Sequence, residues 1–425
     1  MVKASYLEES FQRLLTLGAF LTPALFLTVK GASNTIIFLS GLICFALIVS
    51  NPRRFLANRN MTYWLMLIAL VIPFISELLV QILRQSVVPR NLDGPSRSLL
   101  AGFVFVYLCG SSARITERVL TALYFGAIFG IFLTLLSITI FPEQYWESRA
   151  ATYFVDPITL GCFCVALLGS VAFTRVKWFA THIEWSLLIV VFLSATYVAV
   201  QSQSRISWIA LIACSILFII SVANNARARF ISAAVVVLSI ATVLAIPNNV
   251  YDRVENAIED VSSYVTQKDS DTPVGYRITF ALLDVHLISQ NLILGLEDGT
   301  LPSFEKLKKT FPSLSEEAYQ TKILSGSHSE IFAQLVRKGL ILGGLALWGL
   351  FLYPLYLSVK YFKSNDANLS RLSDGALGFL VVIAISSTAI QVFNLKMTAS
   401  LYGFYLSAYF AAFYLGQKRI DENKC

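Results

Sequence analysis

Runs of about 17 to 20 apolar residues, each long enough to cross a bilayer as a helix, recur along nearly the whole of this chain. No other feature narrows the possible folds as far. A hydrocarbon interior holds no water to satisfy backbone N–H and C=O groups, so a spanning segment must close its hydrogen bonds within itself. Composition assigns the runs to a membrane rather than to a soluble core. Of 425 residues, 56% are hydrophobic and 14% charged, against about 25% charged in soluble domains.

Twelve spans are expected, near residues 14–29, 34–50, 62–80, 98–112, 119–140, 158–174, 184–201, 206–222, 230–246, 340–358, 375–393 and 399–416. The first reads as a membrane helix rather than a removed signal peptide, because Glu8 and Glu9 precede its apolar run and no small-x-small site follows. Alternate connections hold Arg53, Arg54, Arg59, Arg114, Arg118, Arg175, Lys177, Arg227, Arg229, Lys360, Lys363 and Arg371; with the terminal Lys and Arg they collect about half of the 33 basic residues. That bias places both termini in the cytoplasm. It also accounts for the net charge of +7 without nucleic acid.

One connection differs from the rest. Residues 247–339 form a polar insert on the outer side between the ninth and tenth spans, within what is otherwise a single membrane domain over 1–425. Loops of that length are usually functional. Ile278, Leu282, Val285 and Leu292 recur at helical spacing, a stripe fit to lie on the bilayer surface or on the bundle. The expected fold is therefore all-α and integral to the membrane, with about twelve transmembrane helices and a large helical periplasmic loop.

Four basic side chains near the outer boundary are candidates for chemistry. The tetrad Ser327-His328-Ser329-Glu330 fits the S-x-x-E capping box, with Ser327 as N-cap and His328 as the first helical residue. The positive end of a helix dipole disfavours imidazolium, so the ring tends to the neutral form that accepts a proton. It reads either as a general base or as a solvated interfacial histidine. Arg205 follows Gln201, Ser202, Gln203 and Ser204 between two tightly joined spans; those polar neighbours suggest a hydrated pocket, and a snorkelling arginine is the plain alternative. Arg277 opens a helix in the outer loop, and nine residues at 100° each put His286 on the opposite face. His286 and His182 read as structural, and a solvated surface arginine is the plain alternative for Arg277. Arg97 enters the fourth span after an Asp93-Gly94-Pro95 turn, an arrangement that suits a phosphate and equally an ordinary helix start.

Several patterns are absent. The sequence has no Walker loop, no dinucleotide fingerprint, no H-E-x-x-H and no paired C-x-x-C. Three scattered histidines and no acidic cluster argue against a catalytic metal. Glu77 is the clearest acid within a span, and no string of acids suggests a proton relay. Matching Gly/Pro-broken helices in two halves, which many transporters show, are missing too.

Four pieces in order carry a resemblance: "LDGPSRSLLAG", "QSQSRISWIAL", "GYRITFALLDVHLISQNLILG" and "SHSEIFAQLVRKGLILG". Together with twelve spans and one large outer loop, they resemble the O-antigen ligases, which share a membrane glycosyltransferase superfamily with the O-antigen polymerases. Ser329 stands where many members of that family have Asn. The resemblance implies transfer of O-antigen polysaccharide from undecaprenyl pyrophosphate to a lipid A–core sugar hydroxyl, on the periplasmic face of a Gram-negative inner membrane. It implies His328 as general base, Arg205, Arg277 and Arg97 as pyrophosphate ligands, and neither cofactor nor metal. A polymerase extending lipid-linked O-antigen, or a lipid-linked glycan transporter, is the alternative.

Overall fold

The computed structural model describes residues 2–57, 59–142, 146, 149–173, 181–221, 230, 234, 237, 241, 249–297, 300–362 and 364–422. Among these the chain is helical throughout, with one isolated bridge between Thr152 and Val155. Among the described residues six helices are long and apolar enough to cross a membrane: Ala32–Ser50, Met61–Leu83, Ala113–Ile140, His182–Gln201, Glu330–Phe362 and Ala367–Ser386. Pro157–Phe173 and Arg205–Ser221 are shorter apolar helices. Val2–Leu25, Ser96–Gly110 and Lys396–Glu422 are helical where three further spans are expected. The expected ninth span, 230–246, lies largely outside the described residues.

Local sequence explains most of the helix ends. Asn60 caps Met61–Leu83 by accepting from Tyr63 N at 3.1 Å, and Asp366 caps Ala367–Ser386 by accepting from Asn368 N and Leu369 N. Thr272 accepts from Gly275 N and Pro273 sits at the first helical position of Pro273–Gln290. The eleventh expected span ends earlier than its apolar run, at Ser386, and residues 387–395 run as turns. Helices within the bundle meet through small residues. A Cβ on Gly169 would lie 2.6 Å from Gly378 O, so the Pro157–Phe173 and Ala367–Ser386 backbones touch there.

The insert folds into Asn249–Gln267, Pro273–Gln290, Phe304–Thr310 and Glu316–Ser325. Its own small core is Phe280, Leu283, Leu307, Leu314 and Ala318. The expected stripe faces away from that core: Leu282, Val285 and Leu292 are exposed, and Phe280, Leu283 and Leu287 are the buried face.

Two features fix the helix that follows His328. Gly339 breaks it, with φ 72° and ψ −179°, a left-handed backbone that a Cβ would strain. An unbroken helix would bond Leu340 N to Val336 O. Instead Leu340 N donates to Leu292 O at 2.8 Å, and Val336 O accepts from Leu296 N at 2.7 Å. The stretch 292–296 thus fills the break with its own backbone. Arg84 donates to Leu294 O and, at 2.5 Å, to Arg337 O across the same junction. Deeper in the bundle, Glu77 faces Lys338 Nζ at 3.3 Å and Arg337 at 3.5 Å, and Gln81 Nε2 donates to it at 3.0 Å. Lys338 Nζ also donates to Pro73 O and Ser76 Oγ, both at 3.2 Å. A lone charge at this depth is costly, and these partners are what let Lys338 sit at 1% exposure.

Candidate functional site

His328 lies in the turn between Glu316–Ser325 and Glu330–Leu347, with φ 48°. The expected capping box does not form. Ser329, not Ser327, is the N-cap of the following helix and makes no side-chain cap bond. The Glu330 carboxylate accepts from Gln334 Nε2 at 2.5 Å and from Phe393 N at 2.9 Å instead of reaching back. Ser387 O accepts from Glu330 N at 2.8 Å. Tertiary partners took both groups that the local motif would have paired, so His328 is a turn residue two positions before the helix rather than its first residue.

Ser327 serves a different purpose. Its Oγ donates to Asp284 Oδ1 at 3.1 Å and lies 3.2 Å from Lys322 Nζ, which itself meets Asp284 Oδ1 at 2.6 Å. Asp284 is fully buried and Lys322 is 4% exposed. Burial raises the Asp284 pKa against the pull of Lys322, and lowers that of Lys322 against the pull of Asp284. Lys322 Nζ also stands 5.1 Å over the Phe280 ring. His328 stacks on the same phenyl ring, centroids 5.5 Å apart and planes 5° from parallel. Burial first, then the charges of Arg277 and Lys322, lower the His328 pKa. The ring is therefore biased to its neutral, proton-accepting form.

Arg277 stands at the start of the helix that carries Phe280 and Asp284. Steps of three and seven residues put all three on one helix face. Its side chain is exposed to the surface, yet lost hydration and then the charge of Arg205 lower its pKa. Arg205 begins its helix and meets Asp260 of Asn249–Gln267 at 3.5 Å. Asp260 acts on Arg277 as well. A chain of mutual influence thus joins His328, Arg277 and Arg205, with Asp260 as the carboxylate among them.

The expectation of a hydrated pocket around residues 201–204 is not met. Ser202, Gln203 and Ser204 are buried. Ser202 Oγ donates to Ala199 O at 2.7 Å, Ser207 Oγ donates to Ser204 O at 2.7 Å, and Trp208 Nε1 donates to Ala199 O at 3.1 Å. The small hydroxyls satisfy a tight helix-to-helix turn, and Gly161 packs against them. The Arg205 side chain that follows them stays partly exposed.

Arg97 is placed elsewhere. Its Nε donates to Asn34 Oδ1 at 2.5 Å, one guanidinium nitrogen donates to Ser96 Oγ at 2.8 Å, and the group lies over Phe38. Asn34 and Phe38 belong to Ala32–Ser50 and Ser96 to the helix of Arg97 itself, and none of the partners is Arg205, Arg277 or His328. The turn before it is nevertheless tied to the same end: Asp93 pairs with Lys396 at 2.5 Å, and Gly94 packs against Phe393 O. His286 edges onto Phe311 within the insert, away from Arg277, in keeping with a structural role.

Sequence reasoning missed Asp284, Lys322, Phe280 and Asp260. Asp284 had a signal: it is an acid seven residues after Arg277, hence on the same face of an otherwise apolar helix. Lys322 and Asp260 had none, because they arrive from other helices.

Fold and site together define a helical membrane protein of several spans, with a histidine and two arginines gathered around a helical insert. The sequence model of a family described as O-antigen ligase matches residues 188–349, which supports membership of the O-antigen ligase/polymerase superfamily. Arg205, Arg277 and His328 fall inside the match and Arg97 outside it. No curated protein matches the chain. The match over this part of the chain supports an O-antigen ligase- or polymerase-type function.

Proposed function

We propose that the protein is an O-antigen ligase, a glycosyltransferase that moves O-antigen polysaccharide from undecaprenyl pyrophosphate to a sugar hydroxyl of lipid A–core. The observation that carries this reading is a turn histidine stacked on Phe280, a residue of the same helix and face as Arg277, with burial and the Arg277 charge both favouring its neutral form. In the proposed reaction His328 accepts the proton of the acceptor hydroxyl. The freed oxygen forms a bond to the anomeric carbon of the donor sugar, and the carbon–oxygen bond to the diphosphate breaks with its electron pair on the leaving oxygen. Arg277 and Arg205 stabilise that growing negative charge, which is where fixed cations lower a barrier most. The proton then passes from His328 to solvent or to the released diphosphate.

Asp260 fits this scheme as the carboxylate that neutralises Arg205 until a diphosphate replaces it. Arg97 is a further diphosphate ligand only if the donor extends toward Asn34. The reading takes the chain as twelve spans with cytoplasmic termini, the site on the periplasmic face of a Gram-negative inner membrane, and the chemistry as metal-independent, since arginines supply the charge that a divalent ion supplies elsewhere.

Lipopolysaccharide profiling of a deletion strain tests the proposal. Free lipid-linked polymer beside bare core is the expected result. Core bearing a single repeat would make the protein a polymerase, and flat accumulation of cytoplasmic-face lipid-linked glycan would make it a transporter.

A further inference from the structure

The proposed reaction leaves the Asp284–Lys322 pair without a task. It is among the most deeply enclosed ion pairs of the described residues, lies outside the apolar helices, and has its 2.6 Å contact directly beneath the histidine turn. Removing two charges from water is expensive, and an apolar pair of similar size would hold two helices together as well or better. Retaining charges here therefore calls for a reason beyond stability. Three contacts supply one. Both members of the pair bond Ser327 Oγ, the hydroxyl next to His328 in the chain. The ammonium lies over one phenyl ring, Phe280, and His328 lies flat on that ring as well. The turn itself runs left-handed at a residue that is not glycine, a conformation that persists only when its surroundings impose it.

We propose that the buried Asp284–Lys322 pair is the positioning device for His328, pinning the Ser327 hydroxyl so that the next residue is held left-handed with its ring flat on Phe280. Asp284 and Lys322 are positioning residues, since neither is placed to touch substrate. Two cations on the elements around the ring set its charge environment. Arg277 comes from Pro273–Gln290 and Lys322 from Glu316–Ser325, both cations acting on it; Asp284 is directed at Lys322. Glu330, on the helix that follows, is directed at Gln334 and Phe393 N. The ring thus meets two cations, and the neighbouring carboxylates are engaged elsewhere. The proposal rests on reading His328 as the base, but its geometry can be tested without any turnover.

The chain has three histidines, so His182→Gln and His286→Gln leave His328 alone in the full-length protein. In lipid nanodiscs, NMR of 13C-labelled histidine then follows the titration of that one ring. Lys322→Gln should raise its midpoint, because a cation is lost and the loosened ring regains water; Lys322→Arg should restore the parent midpoint. If the single change leaves Asp284 unpaired and the protein unfolded, the double change Asp284→Asn with Lys322→Gln removes both charges and is read in the same way. In a ligation assay the same variants should lose about ten- to a hundredfold in kcat, the scale of a small misplacement of a reacting group, with the donor KM largely unchanged. A midpoint unmoved in folded Lys322→Gln and in the double variant overturns the proposal. A midpoint that moves while His328→Ala still ligates keeps the positioning role and removes only the base assignment.

Discussion

Replacing Arg277 by Gln perturbs two things at once, and the structure says how they combine. The first is the charged contact to the donor diphosphate. A hydrogen bond to a charged group contributes about 1.5–3 kcal/mol, which at about 1.4 kcal/mol per decade is roughly a 10- to 150-fold loss of kcat/KM. The second acts through His328. Arg277 is the leading charge that lowers the histidine pKa, after burial. Its removal raises that pKa, so at mildly acidic pH a larger share of the ring is protonated and unable to accept a proton. The sign is therefore fixed: Arg277→Gln should lose more activity at acidic than at alkaline pH, and the acid limb of its pH–rate profile should move to higher pH. Arg205→Gln should show the first effect with little of the second, because the charges acting on His328 are those of Arg277 and Lys322. The assay is ligation of lipid-linked polymer to purified lipid A–core by proteoliposomes across pH, at saturating and limiting donor. A loss equal at every pH would refute the electrostatic link between Arg277 and His328, and retention of wild-type kcat/KM would refute the role of Arg277 as a diphosphate ligand.

His328→Ala should abolish transfer while membrane abundance stays at the parent level; strong residual ligation in a complementation assay would rule out the histidine as base. Gly339→Ala should lower thermal stability by about 1–3 kcal/mol of backbone strain, since its Cβ would also meet Ile293 O. An unchanged Tm would mean that 292–296 does not fill the helix break as described. Lys338→Ala takes from Glu77 the nearer of its two cations and leaves it Arg337 and Gln81, so the cost should fall below the about 3–5 kcal/mol of a buried charge left with no partner. Adding Glu77→Gln should recover much of the lost folded protein, and failure to recover any would argue against the pairing.

Much of the frame was legible from the chain alone. Among the described residues the expected apolar runs fall on helices, six of them long and apolar enough to cross a membrane, because an apolar run of that length has few ways to satisfy its backbone. Arg205, Arg277 and His328 stood out in the sequence as candidates; the structure keeps both arginines near helix starts, moves His328 into a turn, and lets the charges of Arg277 on His328 and of Arg205 on Arg277 act. Arg97 looked equivalent by the same signs, yet its guanidinium is taken up by Asn34 and Ser96. Position in a sequence says that a charge stands at a boundary. It does not say which neighbours reach it first.

The histidine turn shows the same division most sharply. Ser327-x-x-Glu330 is a local pattern, and local patterns hold only where nothing better competes. Here Asp284 and Lys322 claimed the serine, while Gln334 and Phe393 N claimed the glutamate. Arg84, which the sequence left without a role, turned out to bridge the carbonyls of Leu294 and Arg337 at the Gly339 break. The sequence by itself determined the helices and the chemical types gathered at one end, through length, hydropathy and charge, which act along the chain. Only the tertiary structure decided which of those groups are spent on one another. That depends on contacts between residues far apart in the chain, and no local spacing encodes them.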